Sequence, residues 1–263
     1  MPEITVEKLA NVAVVRLERA AARNALTVEM AKELTAILSQ ISEDCDIQVV
    51  VLAGAGKTFC AGLDLKAVSA SDAPPLRAAE WMALQEVFSG LVTQVHKMRQ
   101  PVIGAVQGAA VGAGLGIVLA CDVRIATPTT KFLVGAVKLG LSAGECGISY
   151  HLPRLVGAGR AFEIMLTGRP VGGTEAKAIG LVTDLVEQDE LLGRALDLAQ
   201  VIAGNAPYSI KHTKQVMWAN LEASFESALE LENHVQVVGL LTEDFAEAAI
   251  AFTQKRRPVF TGR

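Results

Sequence analysis

The stretch of the chain that most restricts its fold is the apolar run over residues 102–121, in which Gln107 is the only strongly polar side chain. A run of this length is either a membrane-spanning helix or a set of short elements buried in a water-soluble core. Glycine recurs at every fourth position from Gly104 to Gly116. Membrane helices use this spacing for close packing, but strand-to-helix turns of soluble proteins need glycine as well. We favour the buried interpretation, because no second run of this kind exists to form a bundle.

Composition predicts a water-soluble protein with a large core. Of the 263 residues, 51% are hydrophobic and 20% are charged, which is below the roughly 25% charged residues usual in soluble domains. This apolar surplus predicts a buried subunit interface. The 24 basic and 28 acidic residues give a net charge of -4, so no broad cationic face for nucleic acid is expected. The four cysteines form no CxxC pair and no leader pattern precedes them, so we expect a reduced, cytoplasmic protein without a membrane anchor.

Strand-like and helical patterns alternate along most of the chain. The pattern over residues 4–18 predicts a hairpin, and Thr27 is placed to cap a helix that follows it. The unbroken apolar run over residues 48–53 is typical of a strand buried on both faces. The end of the chain has mostly helical spacing. We therefore predict an α/β core over residues 1–200 and a helical C-terminal region over residues 201–263.

Small residues cluster at two predicted strand-to-helix turns. The first is FCAGLDL over residues 59–65, and the second lies within PVIGAVQGAAVGAGLG over residues 101–116. Because bulky side chains are absent there, backbone N–H groups can point into a cavity. Two N–H groups that converge on one carbonyl oxygen form an oxyanion hole, and a helix N-terminus behind one of them adds positive potential.

Five segments follow one another along the chain: ARNAL at 22–26, FCAGLDL at 59–65, PVIGAVQGAAVGAGLGIVLACD at 101–122, TGRPVGGTEAKAIGLV at 167–182 and AFTQKRRPVF at 251–260. In this order they resemble the crotonase family, that is, the enoyl-CoA hydratase/isomerase superfamily. The resemblance covers nearly the whole chain. It implies an α/β fold, a crotonase-like spiral of ββα units with a helical C-terminal oligomerisation region, and a homotrimer or hexamer.

The resemblance implies an enzyme of acyl-CoA metabolism that stabilises an enolate-like oxyanion with two backbone N–H groups. By motif position those donors would be Ala61 and Ala113. Coenzyme A is part of the acyl-CoA substrate, so no separate cofactor is expected. The four histidines lack metal-ligand spacing, and we expect no metal site.

The resemblance also implies contacts to the CoA portion of the substrate. The candidates are Asn24, Ala25, Leu26, Lys57, Lys66, Phe252 and Lys255. The first three would present their backbone to the nucleotide, and the last two match C-terminal residues that touch CoA in family members. The two remaining lysines are phosphate candidates, although a solvated surface role fits each of them equally well.

The chain departs from the family pattern at the residues that carry the chemistry. Family hydratases position and activate water with two glutamates, and the matching positions here are Gly116 and Ala136, which cannot transfer protons. Glu145 is the substitute that we identify. The segment GLSAGECG at 140–147 resembles, with one residue inserted, the stretch in which dienoyl-CoA isomerase-like members hold an acid. An apolar pocket would raise the pKa of such a carboxyl group toward a value suited to proton transfer.

Three alternatives remain open at this point. Ser142 and Glu145 form a capping-box pattern, in which both side chains would serve the start of a helix. Ser142 also stands in a GxSxG pattern, which favours a serine hydrolase. The missing hydratase glutamates suggest an acyl-CoA-binding protein without turnover. Asp64 and Asp122 are predicted to be structural, as caps or as partners of basic groups.

Overall fold

The structure is a computed structural model that describes residues 2–69 and 76–263. Short 3-10 helices occur at Ala20–Ala22 and Ala136–Leu139. The strands of the described residues are β1 (Ile4–Leu9), β2 (Val12–Leu17), β3 (Val49–Gly54), β4 (Val102–Val106), β5 (Ala109–Val111), β6 (Val123–Ala126), β7 (Lys131–Leu133), β8 (Val171–Gly172) and β9 (Asp184–Leu185). The helices are α1 (Val28–Glu43), α2 (Leu65–Ser69), α3 (Ala78–Lys97), α4 (Ala113–Ala120), α5 (Ile148–Val156), α6 (Ala158–Thr167), α7 (Gly173–Ala178), α8 (Leu191–Ala203), α9 (Pro207–Asn220), α10 (Phe225–Leu240) and α11 (Glu243–Thr253).

The main sheet has the strand order β1-β2-β3-β4-β6-β9. The predicted hairpin β1–β2 is antiparallel, and every later pairing in this sheet is parallel. Helix α1 begins as predicted, because the Thr27 hydroxyl accepts a hydrogen bond from the Met30 N–H at 3.1 Å. The predicted mixture of a parallel sheet and helices is confirmed.

Strand β3 is apolar throughout because helices cover both faces of the sheet. Val50 and Leu52 pack with residues of α1, α3 and α4 on one face. Val49 and Val51 point to the other face, where they pack with α8. The first predicted turn follows β3, and the second follows β4 and β5, so the buried strands position both turns.

The apolar run over residues 102–121 forms β4, β5 and α4, of which β4 and α4 are buried at every residue. Strand β5 belongs to a second, small sheet with the order β5-β7-β8. No helix among the described residues is long and apolar enough to cross a membrane. Because the run is divided among two strands and one short helix, it does not form the single long helix of the membrane alternative.

Helix α9 is joined to the core by an ion pair and a hydrogen bond to the Asp122 carboxylate. The Lys214 ammonium on α9 lies 2.7 Å from Asp122 Oδ2, and the Trp218 indole N–H donates to Asp122 Oδ1 at 2.9 Å. Asp122 also accepts from the Val102 N–H at 2.7 Å, so its predicted structural role is confirmed. Many large apolar side chains on α9, α10 and α11 are exposed within one chain. The division near residue 200 stays a prediction.

Candidate active site

The two glycine-containing turns lie side by side. After β3 the chain runs parallel to β5, so that the Cys60 N–H donates to the Ala109 carbonyl and the Val111 N–H donates to the Cys60 carbonyl, both at 3.0 Å. These bonds extend the small sheet into the first turn. They place the residues that follow Cys60 against the start of α4.

Glycine is required where the turns touch. A β-carbon on Gly114 would lie 2.7 Å from the Cys60 carbonyl oxygen, and one on Gly62 would lie 2.6 Å from the Val111 carbonyl oxygen. Gly62 also has a positive φ of 85°, which glycine adopts without strain. The same built β-carbon on Gly62 would be 3.8 Å from the Ala113 nitrogen. The first turn therefore reaches the first residue of α4.

Ala113 offers a backbone donor at this junction. It is the first residue of α4 and is 7% exposed, and its N–H has no acceptor among the described residues. The first N–H groups of a helix have no intrahelical partner and carry the positive end of the helix dipole. The predicted donor at Ala113 is thus placed where it can bind an oxyanion.

Ala61 differs from the sequence prediction. Its N–H donates to the Arg23 carbonyl at 3.0 Å, so it is engaged within the fold. On the flanking residues, the Gly62 carbonyl accepts from the Leu26 N–H at 2.7 Å and the Asp64 N–H donates to the Leu26 carbonyl at 2.9 Å. The Leu63 N–H between them has no acceptor among the described residues. The open donor of this turn is that of Leu63 and not that of Ala61.

Glu145 points its carboxylate at the second turn. Its Oε1 atom lies 3.4 Å from the position of a β-carbon built on Gly112, the residue before the Ala113 donor. Its side chain is half-buried and makes no hydrogen bond or ion pair within the described chain. Burial raises the pKa of the Glu145 carboxyl group above its usual range. A carboxylate whose pKa is raised is a stronger base than an ordinary one, which favours a role in proton transfer.

The capping-box interpretation of this segment is wrong. Helix α5 begins only at Ile148, with Gly147 as its N-cap and no side-chain cap. The Ser142 hydroxyl instead accepts from the Gly144 N–H at 3.1 Å in an exposed turn. No hydrogen bond joins Ser142 to a histidine among the described residues, so the arrangement of a serine hydrolase is not formed there.

A family model described as enoyl-CoA hydratase/isomerase matches residues 7–263 of the chain. The chain belongs to the enoyl-CoA hydratase/isomerase family. Its predicted family and enzyme class are confirmed.

Relatives match over nearly their full length. The probable enoyl-CoA hydratase echA12 of Mycobacterium tuberculosis H37Rv is 39% identical over 256 residues, which cover 95% of this chain and 89% of the relative. The (E)-benzylidenesuccinyl-CoA hydratase of Thauera aromatica is 39% identical over 263 residues, with 98% and 99% covered. The crystal structure of the enoyl-CoA hydratase from Bacillus anthracis has a TM-score of 0.95 at 32% identity, with 100% of both chains covered. This structural match confirms the crotonase-like fold.

This enoyl-CoA hydratase/isomerase family member has no room for one of the two usual hydratase glutamates. A β-carbon on Gly116 would lie 2.5 Å from the Cys146 carbonyl oxygen and 2.9 Å from the Cys146 β-carbon. Ala136, the second position, is buried in the 3-10 helix after β7. The backbone at Cys146 therefore fills the space that a longer side chain at Gly116 would need. The adjacent residue Glu145 places a carboxylate beside the start of α4.

The predicted CoA segment over residues 24–26 is held rigidly. The Asn24 side chain is fully buried and donates from Nδ2 to the carbonyls of Ala55 and Thr58, at 3.0 and 2.7 Å. Asn24 therefore braces the loop after β3 with its side chain. The Arg19 guanidinium donates to the Ala25 carbonyl at 2.8 Å and to Asp64 at 2.6 Å. The backbone of this segment is thus fixed beside the first turn.

Asp64 is structural, as predicted. Its Oδ1 atom accepts from the Lys66 and Ala67 N–H groups at 3.1 and 3.2 Å at the start of α2. The hydrogen bond from Arg19 holds the pKa of Asp64 below its usual range. An ionised, fully engaged carboxylate of this kind is not a proton carrier for the site.

The remaining candidates for contacts to CoA are two lysines near the first turn and two residues near the C-terminus. Lys57 and Lys66 are exposed before and after the first turn, and neither forms an ion pair among the described residues. Phe252 is 86% exposed near the end of α11, and Lys255 follows that helix. No hydrogen bond or ion pair joins Phe252 or Lys255 to the turns within the described chain.

Sequence reasoning missed Leu63 and Cys146. The open donor is at Leu63 and not at Ala61 because the Ala61 N–H donates to the Arg23 carbonyl. This contact joins residues 38 positions apart, and no local pattern encodes it. Cys146 has a positive φ of 45°, which is uncommon for a residue with a β-carbon. The one available signal was the adjacent Gly147, since glycine favours left-handed turns.

Proposed function

We propose that the protein acts on enoyl-CoA thioesters, with Glu145 as the group that transfers protons. The observation that carries this proposal is the unpartnered Glu145 carboxylate, whose Oε1 lies 3.4 Å from a β-carbon position on Gly112, directly before the free Ala113 N–H. A proton carrier and an oxyanion donor thus lie beside one another. Thioester chemistry at the α-carbon requires both of these groups.

The N–H groups of Ala113 and Leu63 bind the thioester oxygen. When the α-carbon loses a proton, negative charge moves to this oxygen, and fixed N–H dipoles stabilise it without reorganising. The closeness of Gly62 to the Ala113 nitrogen supports this pair, and the engaged N–H of Ala61 argues against the pair expected from the sequence.

The reaction that one carboxylate performs most directly is movement of a double bond. Glu145 removes a proton from C2 of a 3-enoyl-CoA, and the oxyanion donors hold the resulting dienolate. The same carboxyl group then returns the proton to C4. One C–H bond breaks, another forms, and the product is the 2-enoyl-CoA.

Hydration is the second candidate reaction. Glu145 would then activate water for addition to a 2-enoyl-CoA. The (E)-benzylidenesuccinyl-CoA hydratase of Thauera aromatica, 39% identical over 263 residues, favours this candidate. Gly116 and Ala136 disfavour it, because neither residue has a side chain that can position the water.

The CoA portion binds along the backbone of residues 24–26, with Lys57 and Lys66 near its phosphates. Phe252 and Lys255 contact CoA from a neighbouring copy of the chain. This assignment fits their exposure within one chain, and the exposed apolar side chains of α10 and α11 support a homotrimer or hexamer. We expect the assembly to work in the cytoplasm without a separate cofactor.

The test is a panel of trans-2-hexenoyl-CoA, trans-3-hexenoyl-CoA, a 3,5-dienoyl-CoA and hexanoyl-CoA, with mass spectrometry of the products. Isomerisation leaves the mass unchanged and hydration adds one water. Glu145→Gln should lower turnover about 100- to 10,000-fold, the usual worth of general acid–base catalysis. The exposed Glu33→Gln on α1 is the matched control.

Two results would overturn this proposal. Full turnover by Glu145→Gln would place the base elsewhere. Tight binding of the panel by the wild-type protein with no product would favour the acyl-CoA-binding protein without turnover.

A further inference from the structure

The Glu145 side chain has no polar partner that fixes its direction. Its carboxylate makes no hydrogen bond or ion pair among the described residues. Its backbone is held instead, because the Ile148 N–H donates to the Glu145 carbonyl at 2.8 Å. The position and direction from which the Glu145 side chain leaves the main chain therefore depend on the backbone conformation of this turn.

Cys146 has the least common backbone conformation in this turn. It has a φ of 45° and Gly147 has a φ of 73°, so two consecutive residues adopt the left-handed region. Glycine enters this region freely, but a residue with a β-carbon does so only where its surroundings hold it there. Cys146 is 5% exposed, which indicates that its surroundings do so.

Two helices hold Cys146 in place. The missing side chain of Gly116 on α4 leaves room for the Cys146 carbonyl and β-carbon, which lie 2.5 and 2.9 Å from a β-carbon built at that glycine. From α3, the Gln85 amide donates from Nε2 to Cys146 Sγ at 3.7 Å. The built β-carbon at Gly116 would also lie 3.2 Å from Val92 Cγ2, so α3 and α4 meet at this residue.

We propose that Cys146, seated against Gly116 and held by the Gln85 amide, is a positioning residue that aims the Glu145 carboxylate at the oxyanion turn. This inference rests on the proposed function. Cys146 acts through its neighbour and takes no part in bond making. Gln85 is the second positioning residue in the arrangement.

The thiol suits this position chemically. Burial raises the pKa of the Cys146 thiol to about 11, so the group is neutral at physiological pH. It therefore adds no negative charge beside Glu145. A thiol also accepts a weak hydrogen bond from an amide without the desolvation cost of an ionised group.

The experiment compares Cys146→Gly, Cys146→Ser and Gln85→Leu with the wild-type assembly, using the hexenoyl-CoA isomer that the wild-type protein converts. Cys146→Gly keeps the left-handed backbone and removes the side-chain contacts. We expect its kcat to fall at least about tenfold with KM changed less than about twofold, because small misplacements of a catalytic group lower the rate strongly. Cys146→Ser should retain most of kcat, and Gln85→Leu should show a smaller loss of the same kind.

The pH dependence separates positioning from a general structural role. A base must be ionised, so the rate rises with pH through the pKa of Glu145. Loss of the Cys146 side chain admits water to the carboxylate, so the acid limb of the kcat profile should move to lower pH in Cys146→Gly. The exposed Cys45→Ala should leave both kcat and the profile unchanged.

The outcomes are distinguishable. Wild-type kcat and an unmoved acid limb in Cys146→Gly, with Glu145→Gln inactive, would overturn the positioning role and leave the proposed function standing. An active Glu145→Gln would overturn the proposed function and this inference together. If circular dichroism shows Cys146→Gly to be unfolded, Gln85→Leu decides, and wild-type values in that variant would count against the inference.

Discussion

Gly116 and Cys146 occupy adjoining space so closely that a β-carbon on the first would lie 2.5 Å from the carbonyl oxygen of the second. This distance is shorter than any ordinary contact with a backbone atom. The glycine on α4 and the left-handed residue before α5 therefore depend on each other. Helix α4 has no space for a longer side chain at Gly116, and the carboxylate that approaches its start is that of Glu145, from the turn before α5.

Gly116→Ala should destabilise the protein by about 1–3 kcal/mol, the usual cost of overpacking a tight core. The added methyl group meets backbone and cannot be relieved by a side-chain rotation. Urea denaturation followed by circular dichroism measures the change. Gly193→Ala on α8, where a β-carbon meets nothing within 4 Å, is the control and should not destabilise the fold. Equal midpoints for both variants would contradict the close contact.

Glu145→Gln should raise the free energy of unfolding at neutral pH relative to the wild-type protein. Burial raises the pKa of Glu145 in the folded state, so folding favours its protonated form. The wild-type carboxyl group contributes its stability below the unfolded pKa of about 4.3 and loses it as pH rises through the folded pKa. The advantage of the variant should therefore vanish at low pH. Parallel stability curves for the two proteins from acid to neutral pH would be inconsistent with a buried, unpartnered carboxyl group.

Ala113→Pro should remove the oxyanion donor while keeping helix α4. Proline is tolerated at the first residue of a helix, where the N–H has no intrahelical partner. Turnover should fall by the worth of one oxyanion donor, about 100- to 1,000-fold. Ala113→Gly retains the N–H and should lose far less. A folded proline variant with wild-type kcat would exclude this donor.

Lys214→Met should destabilise the protein by about 3–5 kcal/mol, because it leaves Asp122 buried without its cation. The Lys214 and Asp122 side chains are only 6% and 16% exposed. Lys211→Met, on the same helix but without an ion pair in the described chain, is the control. Adding Asp122→Asn should recover part of the loss in a thermal denaturation experiment. No recovery in the double variant would indicate that packing and not charge dominates at this contact.

The sequence predicted the elements of this fold well, since apolar periodicity and glycine-rich turns are local signals. The strand β3 and the turns at Gly62 and Gly114 follow from such patterns. The choice between Ala61 and Leu63 does not, because it depends on a hydrogen bond to the distant Arg23 carbonyl. A turn shows which N–H groups exist, but only the tertiary fold decides which of them stay open.

Glu145 illustrates the same limit in another way. The residue was identified from its segment, but the pattern with Ser142 could equally describe a helix cap. The left-handed residues Cys146 and Gly147 delay the start of α5 and so exclude the cap. Backbone conformations of this kind are fixed by packing against other helices, in this case α3 and α4. The assignment of its proton-transfer role stays a prediction.

Asp122 links the C-terminal helices to the strand and helix that lead to the second turn. The carboxylate lies just beyond the end of α4, and binds the start of β4 and two residues of α9. A shortened chain that ends before Lys214 would leave the negative charge of Asp122 without its cationic partner. Such a fragment should accumulate as insoluble material in cells and not as a smaller working enzyme. A recombinant protein with exchanged C-terminal helices must therefore retain Lys214 and Trp218.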